Sequence, residues 1–209
     1  MTNHVRAVVA VLSLTVVLPL YAAGSSMAHV KSIVTGNTLV VEMRGAQSTI
    51  HLYGIAAADP LDDRPKIQRL ASEAQDFMRE YLKSGWVYLE FPSGEPKLNK
   101  DGSLSALVYR DRDAGFVNEQ LVAAGLGVVD DDADGELREK LLVKQEGARE
   151  AMLGLWGEFM SANGTKVANG SAHAGTFIGH PGDNQKDYWV KEMLHWLTKS
   201  KAPRYPYGR

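Results

Sequence analysis

The sequence predicts an α+β fold: a small closed barrel of five strands in Greek-key order with about three helices. Two observations predict it. Five short runs rich in apolar, β-branched and aromatic residues, at 30–34, 39–43, 47–55, 86–91 and 104–109, are bounded by turn residues. Helical segments stand between and after them at 65–85, 116–124 and 136–153.

The elements follow in order. Runs 30–34 and 39–43 are broken by Gly36, which suits two strands about a tight turn, and 47–55 is their partner. Pro65 opens the first helix, because a fixed φ and a missing N–H fit a first turn. Ile67, Leu70, Ala71, Ala74, Phe77, Met78 and Leu82 then recur at three- and four-residue spacing, ending near Gly85. Run 86–91 alternates as a strand, 104–109 follows, and 116–124 is a short helix. Asp130, Asp132, Asp134 and Gly135 match the first half of a calcium-binding EF-hand loop, but Leu141 stands where that loop needs a bidentate Glu. The acidic run therefore reads as the cap of helix 136–153, whose positive end favours carboxylates. The whole corresponds to the OB-type architecture.

Two further segments flank this body. Residues 7–23 are almost wholly apolar and uncharged, and small residues follow, so 1–28 reads as a signal peptide or membrane anchor forming an N-terminal hydrophobic helix. Export or membrane anchoring is the first expectation and the mitochondrial inner membrane the alternative. Residues 29–158 form the barrel domain, and 159–184, rich in Gly, Ala, Asn and Ser, reads as a flexible linker. In 185–209 an amphipathic helix carries Tyr188, Trp189, Met193, Trp196 and Leu197 along one stripe, with a basic tail behind it. That stripe either folds back on the barrel or docks on a protein partner, since aromatics and Met favour binding surfaces.

Composition narrows the function. A chain of 209 residues with 44% hydrophobic content suits one well-buried core. The formal net charge of −2 lacks the basic footprint expected of a nucleic-acid binder, although Arg44, Arg110 and Arg112 offer a local patch. With no cysteine, disulfides and thiolate metal sites are excluded.

An ordered set of short motifs adds a further reading. Thr35-Gly36-Asn37-Thr38 is followed by Ile50-His51-Leu52-Tyr53-Gly54-Ile55 and Asp59-Pro60. Val117-Asn118 with Leu121-Val122, then Gly125-Leu126 and Gly154-Leu155-Trp156, complete the series. In that order they resemble the staphylococcal nuclease family. The resemblance implies a calcium-dependent phosphodiesterase site in which carboxylates hold the metal, two Arg grip phosphate and a Glu activates water. At the matching positions this sequence has Asn37, His51, Ala56, Ala57, Asp59 and Ser103.

Those residue types do not supply that chemistry. Calcium takes six to eight oxygen ligands, several of them carboxylates, and an amide with two methyl groups does not provide them. Planar guanidinium groups meet a phosphoryl transition state with paired charge-assisted bonds, which an imidazole and a hydroxyl do not. Losing one such donor costs on the order of 100 to 1,000-fold in rate. The expectation is a catalytically inactive domain with no cofactor and no metal. It would be membrane-held through 7–23 and bind protein partners through the barrel surface and C-terminal helix. Two alternatives stay open: a phosphodiesterase rewired around His51 and Asp59, and a noncatalytic nucleic-acid-binding barrel.

Overall fold

The structure, a computed structural model, describes residues 25–168 and 185–198. The described residues form seven strands and five helices: β1 (Ser25–Thr35), β2 (Thr38–Met43), β3 (Ala46–Leu52), β4 (Ile55–Ala57), α1 (Pro65–Tyr81), β5 (Trp86–Glu90), β6 (Leu104–Arg110), α2 (Val117–Ala123), β7 (Gly127–Val129), α3 (Gly135–Glu150), α4 (Leu155–Ala168) and α5 (Gln185–Thr198). Five strands close a barrel in the order β1-β2-β3-β6-β5, as expected. All its pairings are antiparallel except β3 with β6.

Alternation sets the inside of the barrel. Ala28, Leu39, Val41, Ile50, Leu52, Val87, Leu89, Ala106 and Val108 point inward and are buried. α1 closes the bottom with the residues its period selects, Ile67, Leu70, Ala71, Ala74 and Met78. Asn118 ties α2 to the barrel. Its Oδ1 accepts from Val108 N at 3.0 Å and its Nδ2 donates to Tyr53 O at 2.9 Å, so one buried amide satisfies two backbone groups that no strand partner reaches.

Several boundaries differ from expectation. Run 47–55 is two strands, because Gly54 at φ 72° breaks it, and β4 pairs with β7 in a separate two-stranded sheet. β1 begins at Ser25 inside the expected N-terminal unit, and Ala28 is already core. Processing after Ala28 would remove the Ser25–Glu90 to Ala28–Val87 pairs. The expected linker is in part helical, since α4 carries 159–168 and buries Phe159 beside Trp156. Among the described residues no helix is long and apolar enough to cross a membrane. The apolar segment 7–23, the remainder of the linker and the basic tail lie outside those residues.

α5 folds back onto the body. Val190 and Met193 are fully buried, and Trp196 meets Phe159 edge-on at 5.6 Å between ring centroids. Arg64 fastens its C-terminal end: Nη1 donates to Trp196 O at 2.8 Å and Nη2 to Leu197 O at 3.2 Å, with the guanidinium 5.1 Å from the Trp196 ring centroid. The same Arg64 donates through Nε and Nη2 to Asp62 at 2.8 and 2.6 Å. Burial pushes the Asp62 carboxyl up, and the Arg64 hydrogen bonds together outweigh it and hold it below the usual range. Met193 therefore packs within the chain, and Trp196 and Leu197 lie half-buried against the core. The side chains of Tyr188 and Trp189 lie outside the described residues.

Candidate functional site

Five of the six singled-out residues gather at one end of the barrel, where the β1–β2 turn, β3, β4 and the loop before β6 meet. Strand register starts the arrangement: Thr38 pairs with His51 across β2 and β3, and His51 pairs with Ser105 across β3 and β6. The three side chains then share one face of the sheet.

Asn37 is held on both sides. Its Oδ1 accepts from Thr35 Oγ1 at 2.9 Å, and its Nδ2 donates to Ile55 O at 2.8 Å, binding the β1–β2 turn to β4. Ala56 and Ala57 follow directly in β4. A Cβ built on Gly36 would sit 3.3 Å from the Ala57 methyl and 2.6 Å from that of Ala74. The turn thus closes on α1 and β4 only because residue 36 is glycine.

His51 lies between a hydroxyl and a carboxylate. Thr38 Oγ1 is 2.8 Å from Nδ1, and Asp101 Oδ2 is 3.3 Å from Nε2. A carboxylate only accepts, so Nε2 carries a proton toward Asp101, and Nδ1 faces the Thr38 hydroxyl. Asp101 is shared: its Oδ1 accepts from Ser103 N at 3.0 Å and from Ser103 Oγ at 2.6 Å. The Ser103 hydroxyl in turn accepts from Asn99 Nδ2 at 2.9 Å, and the same amide reaches Ser105 Oγ at 3.1 Å. The two Ser103 bonds, aided by His51, hold the Asp101 carboxyl at about 2.

Asp59 belongs to a different unit. Its Oδ1 accepts from Leu61 N at 2.8 Å, the turn role its place before Pro60 suggests. The acidic run 130–134 is likewise a turn. Asp130 Oδ1 accepts from Asp131 N at 2.7 Å, and burial pushes its carboxyl up. Asp134 holds the N-cap position of α3 as expected, but it makes no side-chain capping bond. Among the described residues no group of three or more His, Asp or Glu is placed to hold a metal ion. The donor set at the barrel end does not fit calcium: an amide oxygen already engaged, an imidazole, two methyl groups and a single carboxylate, Asp101, that is bonded to Ser103 and His51.

Thr38, Asn99 and Asp101 were missed as members of this cluster. The Asp101-Gly102-Ser103 turn carried a signal, since Asp two residues before a Ser builds such a turn, but its contact with His51 spans fifty positions. The arginine patch also takes another form. Arg110 donates to Asp113 through Nε at 2.8 Å and covers the Tyr81 ring at 3.9 Å, so its guanidinium is engaged.

Comparison with known proteins agrees with this architecture. The family described as staphylococcal nuclease homologue matches residues 49–158. A thermonuclease of Staphylococcus hyicus is 26% identical over 113 residues, covering 52% of this chain and 64% of that protein. An uncharacterized protein of Bacillus anthracis is 25% identical over 130 residues, 61% of this chain and 58% of the relative. One from Methanocaldococcus jannaschii is 25% identical over 145 residues, 61% and 70% respectively. The chain thus spans less than two thirds of the first two relatives' length.

Proposed function

The chain belongs to the staphylococcal nuclease homologue family, and we propose that it is a catalytically inactive member, held at a membrane by residues 7–23 and serving as a structural or interaction module in a larger assembly. The observation that carries this reading is the closed network at the barrel end. Where the family resemblance puts metal ligands and phosphate grips, Asn37, His51 and Ser103 bond to Thr35, Thr38, Ile55, Asp101 and Asn99. Their hydrogen-bonding capacity is used within the protein, which leaves little for a phosphodiester.

Catalysis by this family's route needs charge that develops in the transition state to be met by cations. The cluster instead brings in a carboxylate, Asp101, whose pKa is lowered to about 2, where the family's route needs cations. The proposal is tested by a calorimetric calcium titration of the full chain and by its purification in gentle detergent. It expects no binding heat and a stable copurifying complex; calcium binding, or a clean monomer, argues against it.

One observation favours a second reading. Thr38, His51 and Asp101 form a hydroxyl–imidazole–carboxylate line of the kind that activates nucleophiles. Thr38 is only 6% exposed, so a substrate would have to open the turn to reach it. Cleavage of single-stranded DNA that vanishes on Thr38→Val and His51→Ala would establish this reading instead.

A further inference from the structure

The outer face of the β1–β5–β6 side of the barrel is not polar. Met27 stands opposite Tyr88, Tyr88 opposite Tyr109, and His29 opposite Trp86, so these side chains share one surface. Met27 is 52% and Trp86 41% exposed, and His29 packs edge-on against Trp86 at 4.9 Å. Leu107, opposite Glu90, extends the face. A solvated barrel strand ordinarily carries polar residues outward; here Tyr88 and Leu107 are half-buried and Phe116 covers the Tyr109 ring at 5.0 Å, but Met27 and Trp86 stay exposed beside them, and that apolar patch points to something that covers it.

The chain itself indicates what. β1 starts at Ser25, and the uncharged apolar segment ends at Ala23. From Ala23 to Met27 an extended backbone reaches at most about 14 Å, roughly twice the headgroup layer of about 5–8 Å beside the hydrocarbon core. A segment held in a bilayer with so short a connection leaves the Met27 end of β1 at the membrane surface. Trp and Tyr are the residues that favour that depth, with a ring in the apolar boundary and a polar tip in water. Glu90, which accepts from the Tyr109 hydroxyl, would repel a polynucleotide lying across the same face, whereas headgroup water solvates it.

We propose that the face bearing Met27, His29, Trp86, Tyr88 and Leu107 lies on the lipid surface, docking the barrel sideways against the bilayer that holds residues 7–23. This rests on the anchoring proposed above. It gives the barrel one orientation: the His51 end and α5 are fixed relative to the membrane instead of swinging on a tether.

The absence of cysteine makes the test direct. Met27→Cys, Tyr88→Cys and Val143→Cys, each in the full chain, are labelled with an environment-sensitive fluorophore and reconstituted into phosphatidylcholine vesicles containing lipids with a nitroxide on the acyl chain. Val143, exposed on α3, reports the opposite case. The expected result is that all three chains float with the vesicles, while labels at 27 and 88 shift to the blue and are quenched by the nitroxide, and the label at 143 is neither. Flotation with all three labels in water overturns the docking and leaves anchoring intact. Failure to float overturns both. A blue shift at 27 and 88 without lipid quenching means that protein covers the face, and also overturns it.

Discussion

Arg64 donates to the backbone carbonyl of Trp196 at 2.8 Å and lays its guanidinium over that residue's ring, joining the segment before α1 to the end of α5 across 132 positions. Its other partner, Asp62, is 1% exposed. Removing the cation leaves a buried carboxylate and unpaired helix-end carbonyls together. Arg64→Ala is expected to cost about 3 kcal/mol and to raise hydrogen exchange at 190–197 more than in the barrel strands. Arg64→Lys recovers little, because a point charge does not reproduce the paired contacts. Equal protection of α5 in the parent and Arg64→Ala chains would contradict the contact.

Asp101 provides a pH prediction. Its folded pKa of about 2 is below the ordinary 3.8, so its contribution to stability is present above the ordinary value and lost as pH falls through 2. The hydrogen bond from the Ser103 hydroxyl is the largest cause. Ser103→Ala should raise the Asp101 pKa toward the ordinary value and start acid unfolding at higher pH. Carboxyl carbon shifts followed from pH 5 to about 2 read this directly; an Asp101 that already titrates normally in the parent chain removes the basis for the network.

Much of the barrel was legible because its signals are local. An apolar, β-branched run beside a glycine turn marks β2, alternation marks β5, and the spacing from Ile67 to Leu82 marks α1 and its buried face. β4 and β7 were not legible, since three residues carry no periodicity. The 159–168 part of α4 was read as linker from its Gly, Asn and Ser content, yet the burial of Trp156 and Phe159 extends the helix past the Gly154-Leu155-Trp156 motif. At the site, the residue types were readable one by one and their partners were not. His51 with Asp101, and Arg64 with Trp196, become neighbours only after the chain has closed.

Gly36 tests the packing of the turn that carries Asn37. A methyl there meets Ala74 at 2.6 Å without a left-handed φ to complicate the result. Gly36→Ala should destabilise by about 1–3 kcal/mol through overpacking. In a double-mutant cycle, Ala74→Gly should cost less in that background than alone, with a coupling of at least about 0.5 kcal/mol. Strict additivity would show that the two residues do not meet.

Asn118 tests the tie between α2 and the barrel. Asn118→Ala leaves Val108 N and Tyr53 O buried without partners, each costing about 1–3 kcal/mol. Asn118→Asp keeps the acceptor and turns the donor into an oxygen facing a carbonyl, so it should lose stability as pH rises through the carboxyl range. Chemical denaturation at pH 4 and pH 8 separates the two variants; a pH-independent loss in Asn118→Asp argues against the assigned amide orientation.

The central claim is that hydrogen bonds within the protein have replaced the cations that this family's chemistry requires. Its most direct test is digestion of single-stranded DNA by the purified full chain with millimolar calcium, compared with a chelator control and with His51→Ala. The account predicts no cleavage above the chelator background in either chain. Calcium-dependent cleavage by the parent chain that His51→Ala abolishes would contradict it.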